Sequence, residues 1–201
     1  MKYVPILLTS LRSLLAPVVV LLAILAPAPG AFAVCLVLAF LSDILDGVVA
    51  RRLGVATPNL RRFDSISDTL LYAAATYAVW HLHPATISGR RALLVLLLGL
   101  EVARYVFDFV KFRRDASYHM WSSKAWGVVL FAAFFSLLAL GSDNVLVDLA
   151  IYAGIVADLE GLAISAVLPE WCSDVPSLVH ALRVRAERAG LRETGRQRSC
   201  R

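Results

Sequence analysis

The sequence predicts an all-α integral membrane protein, a bundle of six transmembrane helices followed by a short amphipathic C-terminal helix. Three observations predict it. Hydrophobic residues make up 59% of the 201-residue chain and charged residues only 17%, whereas soluble domains average about 45–50% and about 25%. The stretches 13–42 and 69–89 contain no Asp, Glu, Lys or Arg. The length suits about six spans of roughly 20 residues with short connections. Together these exclude intrinsic disorder, a disulfide scaffold and an ordinary soluble enzyme.

The first two spans, about 3–26 and 31–52, share one apolar run and are separated by Pro27, Pro29 and Gly30, which punctuate a tight turn. The third span, about 63–82, contains the second charge-free run. The fourth lies at about 91–112, the fifth at about 122–140 and the sixth at about 145–168. Their apolar residues cover most faces, as lipid-facing helices require. Trp80, Trp121, Trp126 and Trp171 fall near helix ends, where indole rings anchor at the membrane interface. Residues 1–170 read as one membrane domain and 171–201 as a basic cytoplasmic tail. In the tail, Ser173 or Asp174 is expected to cap a helix with Pro176 in its first turn. Val175, Leu178, Val179 and Leu182 then recur at helical spacing ahead of Arg183, Arg185 and Arg188, as in a helix lying on an anionic leaflet.

The basic residues set the orientation. Arg51, Arg52, Arg61 and Arg62 lie between spans two and three, and Lys111, Arg113, Arg114 and Lys124 lie around the fourth connection. Seven arginines occupy the stretch 183–201. The positive-inside rule places both termini and these connections in the cytoplasm, in a multi-pass protein of a bacterial inner or plasma membrane. Arg90 and Arg91, in the 3–4 connection, are the exception and are expected at headgroup level. The pI of 9.4 therefore reflects orientation and lipid, with no nucleic-acid partner. Residues 1–33 also resemble a signal peptide ending Ala31-Phe32-Ala33; the long apolar stretch, Arg12 within it and the six-span count argue against cleavage. Cys35, Cys172 and Cys200 lack metal-ligand spacing and are expected as free thiols.

Acidic residues at membrane depth carry the chemistry. Asp43 and Asp46 close the second span at i,i+3, and Asp64 and Asp68 open the third at i,i+4, so each pair shares one helix face. Each such carboxylate costs roughly 2.5–3.5 kcal/mol on insertion scales. Antiparallel neighbours would bring all four to one cytoplasmic pocket. Four hard oxygen donors, with no His or Cys set nearby, suit Mg²⁺ or Mn²⁺, and two ions are expected. The alternative is a set of surface salt bridges with Arg51, Arg52, Arg61 and Arg62.

The intervening residues weigh against that alternative. They read Asp43-Ile-Leu-Asp46-Gly47-Val-Val-Ala50-Arg51, then eight residues, then Leu60-Arg-Arg-Phe-Asp64-Ser-Ile-Ser-Asp68. This resembles the signature of the CDP-alcohol phosphatidyltransferase family, DxxDGxxAR…GxxxDxxxD, over residues 43–68. The stretch Pro5-Ile-Leu-Leu-Thr9-Ser-Leu-Arg12 is also similar to the family's N-terminal helix. One position departs: the family's second glycine is Leu60 here, which removes a small-residue contact but no metal ligand.

The resemblance implies a division of roles. Asp43, Asp46, Asp64 and Asp68 would be metal ligands, with Asp68 also the general base on the acceptor hydroxyl. Asp43, Gly47, Ala50 and Arg51 would bind the nucleotide. The reaction would move a phosphatidyl group from CDP-diacylglycerol to an alcohol with release of CMP, in phospholipid biosynthesis, and a homodimer is plausible. In the fourth span Glu101, Arg104 and Asp108 stand at i, i+3 and i+7. Arg104 would pair with Glu101 or Asp108, or would line an acceptor pocket with Lys124 and Arg113 or Arg114. Lys124 lies in Ser122-Ser123-Lys124, similar to the family's Ser-Lys segment. Such a basic pocket favours glycerol 3-phosphate, with inositol phosphate, inositol and serine as further acceptors. His119 would be incidental or touch a headgroup. Asp158 and Glu160 would support the acceptor pocket or pair with Arg12 or Lys124. Two other functions use the same residues: a divalent-cation transporter, which has no need of Gly47, Ala50 and Arg51, and an inactive family member acting as a subunit, which only Leu60 supports.

Overall fold

The computed structural model describes residues 4–53, 57–113, 118, 120–172 and 175–193. Among them the secondary structure is entirely helical: α1 (Val4–Leu25), α2 (Pro29–Leu53), α3 (Pro58–Leu82), α4 (Pro84–Gly89), α5 (Arg91–Phe112), α6 (Trp121–Leu138), α7 (Val145–Val167) and α8 (Leu178–Glu193). Three stretches, Val4–Leu25, Pro29–Val49 and Trp121–Leu138, are long and apolar enough to cross a membrane. The chain divides into two compact units, Met1–Gly89 with Phe131–Asn144, and Arg90–Leu130 with Val145–Arg201.

In the first unit α1 packs against both α2 and α3. The buried residues form helical stripes: Ala16, Val19 and Ala23 on α1, Phe32, Leu36 and Ala39 on α2, and Leu71, Ala75 and Ala78 on α3. Alanine at the contacts lets the backbones approach closely, while Leu7, Leu14, Leu21 and Leu25 face outward. Pro17 lies inside α1, where it leaves the Ser13 carbonyl without its helical donor. Pro29 is the first residue of α2 rather than part of the turn, and the Ala28 carbonyl accepts from Ala31 and Phe32. The third helix begins earlier than its hydropathy suggests. Thr57 caps it by accepting from the Leu60 N–H at 3.3 Å, with Pro58 in its first turn. The second half of α6 joins this unit, where Phe131 stacks on Phe40 with centroids 4.2 Å apart. Gly141, at φ +62°, turns the chain after α6. The Ser136 hydroxyl donates to the Ser142 carbonyl at 2.7 Å and accepts from the Asn144 amide at 2.7 Å.

In the second unit α5 packs on α7, and α7 on α8. Tyr118, Met120, Ile164, Leu168, Cys172 and Val175 form its buried cluster. A Cβ on Gly154 would stand 2.8 Å from the Leu97 side chain and 2.8 Å from the Trp126 ring, so the indole packs directly against α7. Arg90 holds Asp148, in the first turn of α7, through two bonds of 2.6 and 3.0 Å. That pair neutralises one of the two arginines that ran against the orientation rule. Lys111 Nζ donates to the carbonyls of Ser165 and Ala166 at 2.7 and 3.0 Å, satisfying the end of α7.

The tail helix starts at Leu178, with the Ser177 hydroxyl accepting from the His180 N–H at 3.4 Å. Ser173 and Asp174, the expected caps, lie outside the described residues. Val179 and Leu182 are exposed and Ala181 is buried. Cys35 is free and buried, whereas Cys172 is disulfide-bonded, which corrects the expectation of free thiols at that position.

Candidate active site

The four carboxylates do converge, and α1 supplies what joins them. Arg12 is 0% exposed. Its Nη1 donates to Asp43 Oδ1 at 2.7 Å and to Asp68 Oδ1, and its Nη2 donates to Asp46 Oδ2 and Asp64 Oδ1. Each terminal nitrogen therefore bridges one aspartate of α2 and one of α3. Thr9, one turn earlier, donates to Asp46 Oδ2 at 3.1 Å. One residue beyond Arg12, the hydroxyls of Ser13 and Ser67 lie 2.8 Å apart. The local reason is the α-helical period: residues 9, 12 and 13 share the face of α1 that is buried against its neighbours.

Burial grades the site. Asp46 is nearly enclosed, at 6% side-chain exposure, while Asp43, Asp64 and Asp68 keep between 33% and 48%. The open side thus presents three carboxylates. One oxygen from each of Asp43, Asp64 and Asp68 lies within 4.8 Å of the other two. A cleft lined by Arg12, Asp43, Asp68, Tyr72, Phe40 and Phe131 runs from this polar group into apolar surroundings. The donor set fits a hard divalent cation. It is all carboxylate oxygen, and four formal negative charges face one guanidinium, leaving the group anionic.

The alternative to a cation site had the aspartates paired with Arg51, Arg52, Arg61 and Arg62; among the described residues it is Arg12 of α1 that contacts all four. Arg52 and Arg62 are exposed. Gly47 sits on α2 one residue past Asp46 and is partly buried. Ala50 and Arg51 continue the same helix, and their side chains fall outside the described residues. Thr9 and Arg12 were missed as site residues. The available signal was that Arg12 is the sole charge in an apolar run otherwise unbroken from Val4 to Ser42.

The second unit holds the other charged residues. Arg104 reaches across to another helix: its Nε lies 3.0 Å from Asp158 Oδ1 on α7. Gly161 makes room for that reach, since a Cβ there would stand 2.7 Å from Arg104 Cδ. Asp158 therefore meets Arg104 within the second unit. Glu160 accepts from the Leu178 N–H at 3.1 Å, an acidic side chain at the start of α8. The Ser165 hydroxyl donates to the buried Tyr118 oxygen at 3.2 Å, and burial pushes the Tyr118 phenol up from its ordinary pKa. Lys124 Nζ lies over the Trp121 ring, 4.9 Å from its centroid. Arg113 ends α5 in the left-handed region at φ 55°. Arg114 and His119 lie outside the described residues.

Comparison with known proteins agrees with the geometry. No curated protein and no solved structure matches the chain. The model of one family, CDP-alcohol phosphatidyltransferase, matches residues 2–159. That range takes in α1 with Thr9 and Arg12, all four aspartates and α7 through Asp158. Families of this kind are membrane-bound, generally depend on divalent metal, and transfer a substituted phosphate group from a CDP-alcohol to an alcohol acceptor in phospholipid biosynthesis. With so much of its length matched, this chain belongs to the CDP-alcohol phosphatidyltransferase family.

Proposed function

We propose that the protein transfers the phosphatidyl group of CDP-diacylglycerol to a small phosphorylated alcohol, with glycerol 3-phosphate the favoured acceptor, and releases CMP. The observation that carries this reading is the convergence of Asp43, Asp46, Asp64 and Asp68 at one end of α2 and α3. Family membership does not favour the divalent-cation transporter.

In this reading the four aspartates hold two Mg²⁺ or Mn²⁺ ions. When bound, the ions neutralise the diphosphate and favour displacement at phosphorus. Asp68, partly exposed on the open side, takes the proton from the acceptor hydroxyl. The hydroxyl oxygen bonds to the phosphatidyl phosphorus as the bond from that phosphorus to the CMP oxygen breaks, and CMP leaves with its electron pair. Asp43, Gly47, Ala50 and Arg51 are the residues assigned to the nucleotide, Gly47 and Ala50 being small enough for a cytidine to lie close to the helix. Arg104 and Lys124 are the basic groups assigned to the acceptor phosphate, and they are the reason for preferring a phosphorylated alcohol.

The same proposal takes α1, α2, α3, α5, α6 and α7 as six spans. The aspartates lie toward the cytoplasm, and α8 rests on the leaflet through Val179, Leu182 and the basic residues beside them. Residues 1–170 form the membrane domain and 171–201 the cytoplasmic tail, in a bacterial inner or plasma membrane, with a homodimer as the working assembly. The deciding experiment supplies purified protein in lipid nanodiscs with CDP-diacylglycerol, Mn²⁺ or Mg²⁺ and a panel of alcohols, and measures CMP. Release with glycerol 3-phosphate above inositol or serine supports the reading. Release with an uncharged alcohol alone rejects the assigned acceptor, and no CMP with any acceptor rejects the transferase assignment.

A further inference from the structure

We propose that Arg12 is a built-in counter-cation for the aspartate cluster, holding the four carboxylates together before metal arrives, and that a divalent cation binds by displacing its guanidinium. The inference rests on reading the cluster as a cation site, and goes beyond it by assigning a residue of α1 to control of metal entry.

Four observations support it. The first is position: the two terminal nitrogens of Arg12 contact one oxygen of each aspartate. Among these are oxygens of the same three residues whose carboxylates approach one another within 4.8 Å. A guanidinium and a cation compete for the same carboxylate lone pairs. The second is charge. Four carboxylates packed together repel at short range; one guanidinium relieves part of that repulsion and leaves the group anionic, so a divalent cation is still attracted. The third is connectivity. Arg12 Nε has no hydrogen-bond partner among the described residues, so the whole head is held through bonds to the aspartates and turns away once they are taken over. The fourth is that α1 does not depend on those bonds for its place. The Ser13–Ser67 contact at 2.8 Å and the buried stripe of Ala16, Val19 and Ala23 hold the helix without involving the aspartates. Arg12 is therefore a positioning residue whose release is coupled to metal binding.

The test compares the full chain in detergent with its Arg12→Met variant, which keeps a long apolar stem without the charge. Mn²⁺ binding is followed by loss of the free-ion paramagnetic resonance signal, and thermal unfolding is recorded with EDTA and with Mn²⁺. The variant is expected to melt lower than the natural chain in EDTA and to gain more from Mn²⁺. It is expected to bind Mn²⁺ at least about tenfold more tightly, because a like-signed group a few ångströms away is gone. Guanidinium chloride at millimolar levels should weaken Mn²⁺ binding by the variant and leave the natural chain unaffected. Should Arg12→Met not fold, Arg12→Lys retains the charge on a head that cannot bridge four carboxylates, and a several-fold tighter Mn²⁺ affinity is expected. Equal or weaker Mn²⁺ binding by the variant that folds, with binding by the natural chain intact, overturns the displacement proposal alone. Absence of Mn²⁺ binding by every form overturns the cation-site reading and this proposal with it.

Discussion

The Thr9 hydroxyl donates to Asp46 Oδ2 at 3.1 Å, and the same oxygen also accepts from Arg12 Nη2. Asp46 is the most enclosed of the four aspartates, so its oxygens depend on partners from α1. Thr9→Val keeps the side-chain shape and removes the donor. It is expected to lower stability by about 1–3 kcal/mol, read as a lower unfolding midpoint in detergent, while Thr9→Ser restores most of it. A Thr9→Val protein as stable as the natural one would show that this bond contributes nothing.

Asp68 is assigned to proton transfer, and Asp43 to holding metal and nucleotide. General-base catalysis contributes about 10²–10⁴-fold, so Asp68→Asn should reduce the turnover rate for CMP release by at least about a hundredfold. The Michaelis constant for the acceptor should change far less. Full turnover by Asp68→Asn would remove the general-base assignment and leave the family assignment standing.

Removing divalent metal with EDTA should abolish CMP release, and Mn²⁺ or Mg²⁺ in excess should restore it. Replacement of the exposed carboxylate assigned to metal, in Asp43→Asn, should raise the metal concentration needed for half-maximal rate. Activity that persists after exhaustive chelation would contradict the assigned chemistry.

Arg104 and Asp158 form an ion pair across α5 and α7, with Asp158 only 2% exposed. Losing one partner of a buried pair costs about 3–5 kcal/mol, because the other charge stays behind. Arg104→Met alone should therefore destabilise more than the double change Arg104→Met with Asp158→Leu. A double-mutant cycle on unfolding midpoints measures the coupling. Additive effects would mean that the pair is not coupled.

At Gly154 an added methyl would meet Leu97 and the Trp126 ring at 2.8 Å. A rigid indole cannot give way as a flexible side chain does, so Gly154→Ala should cost about 1–3 kcal/mol by overpacking. A shift in tryptophan emission should accompany the lower melting point.

The helices were legible because apolar runs, prolines and glycines are local signals. The expected span of about 145–168 lies within a residue of α7 at Val145–Val167. Local pattern failed where a cap extended an element, as when Thr57 and Pro58 started α3 ahead of its apolar run. It also failed where a short helix, α4, filled a connection. The aspartates could be found because spacing within a helix fixes a shared face. Their partner could not, because Arg12 reaches them through packing of α1 between two later helices, and sequence separation carries no record of that. The same limit explains Arg104: i,i+3 proximity to Glu101 was visible, but the stronger claim of Asp158 from another helix was not.

Arg12 also bears on how the chain is made. It leaves the ribosome ahead of every acidic group it bonds, by 31 residues for Asp43 and by 56 for Asp68. A lone arginine at membrane depth costs roughly 2.5–3.5 kcal/mol on insertion scales, so α1 enters the bilayer in debt to segments not yet synthesised. All three of the first helices are needed to complete the Arg12 ion pairs, and a chain arrested after α2 would carry an arginine with only half of its partners.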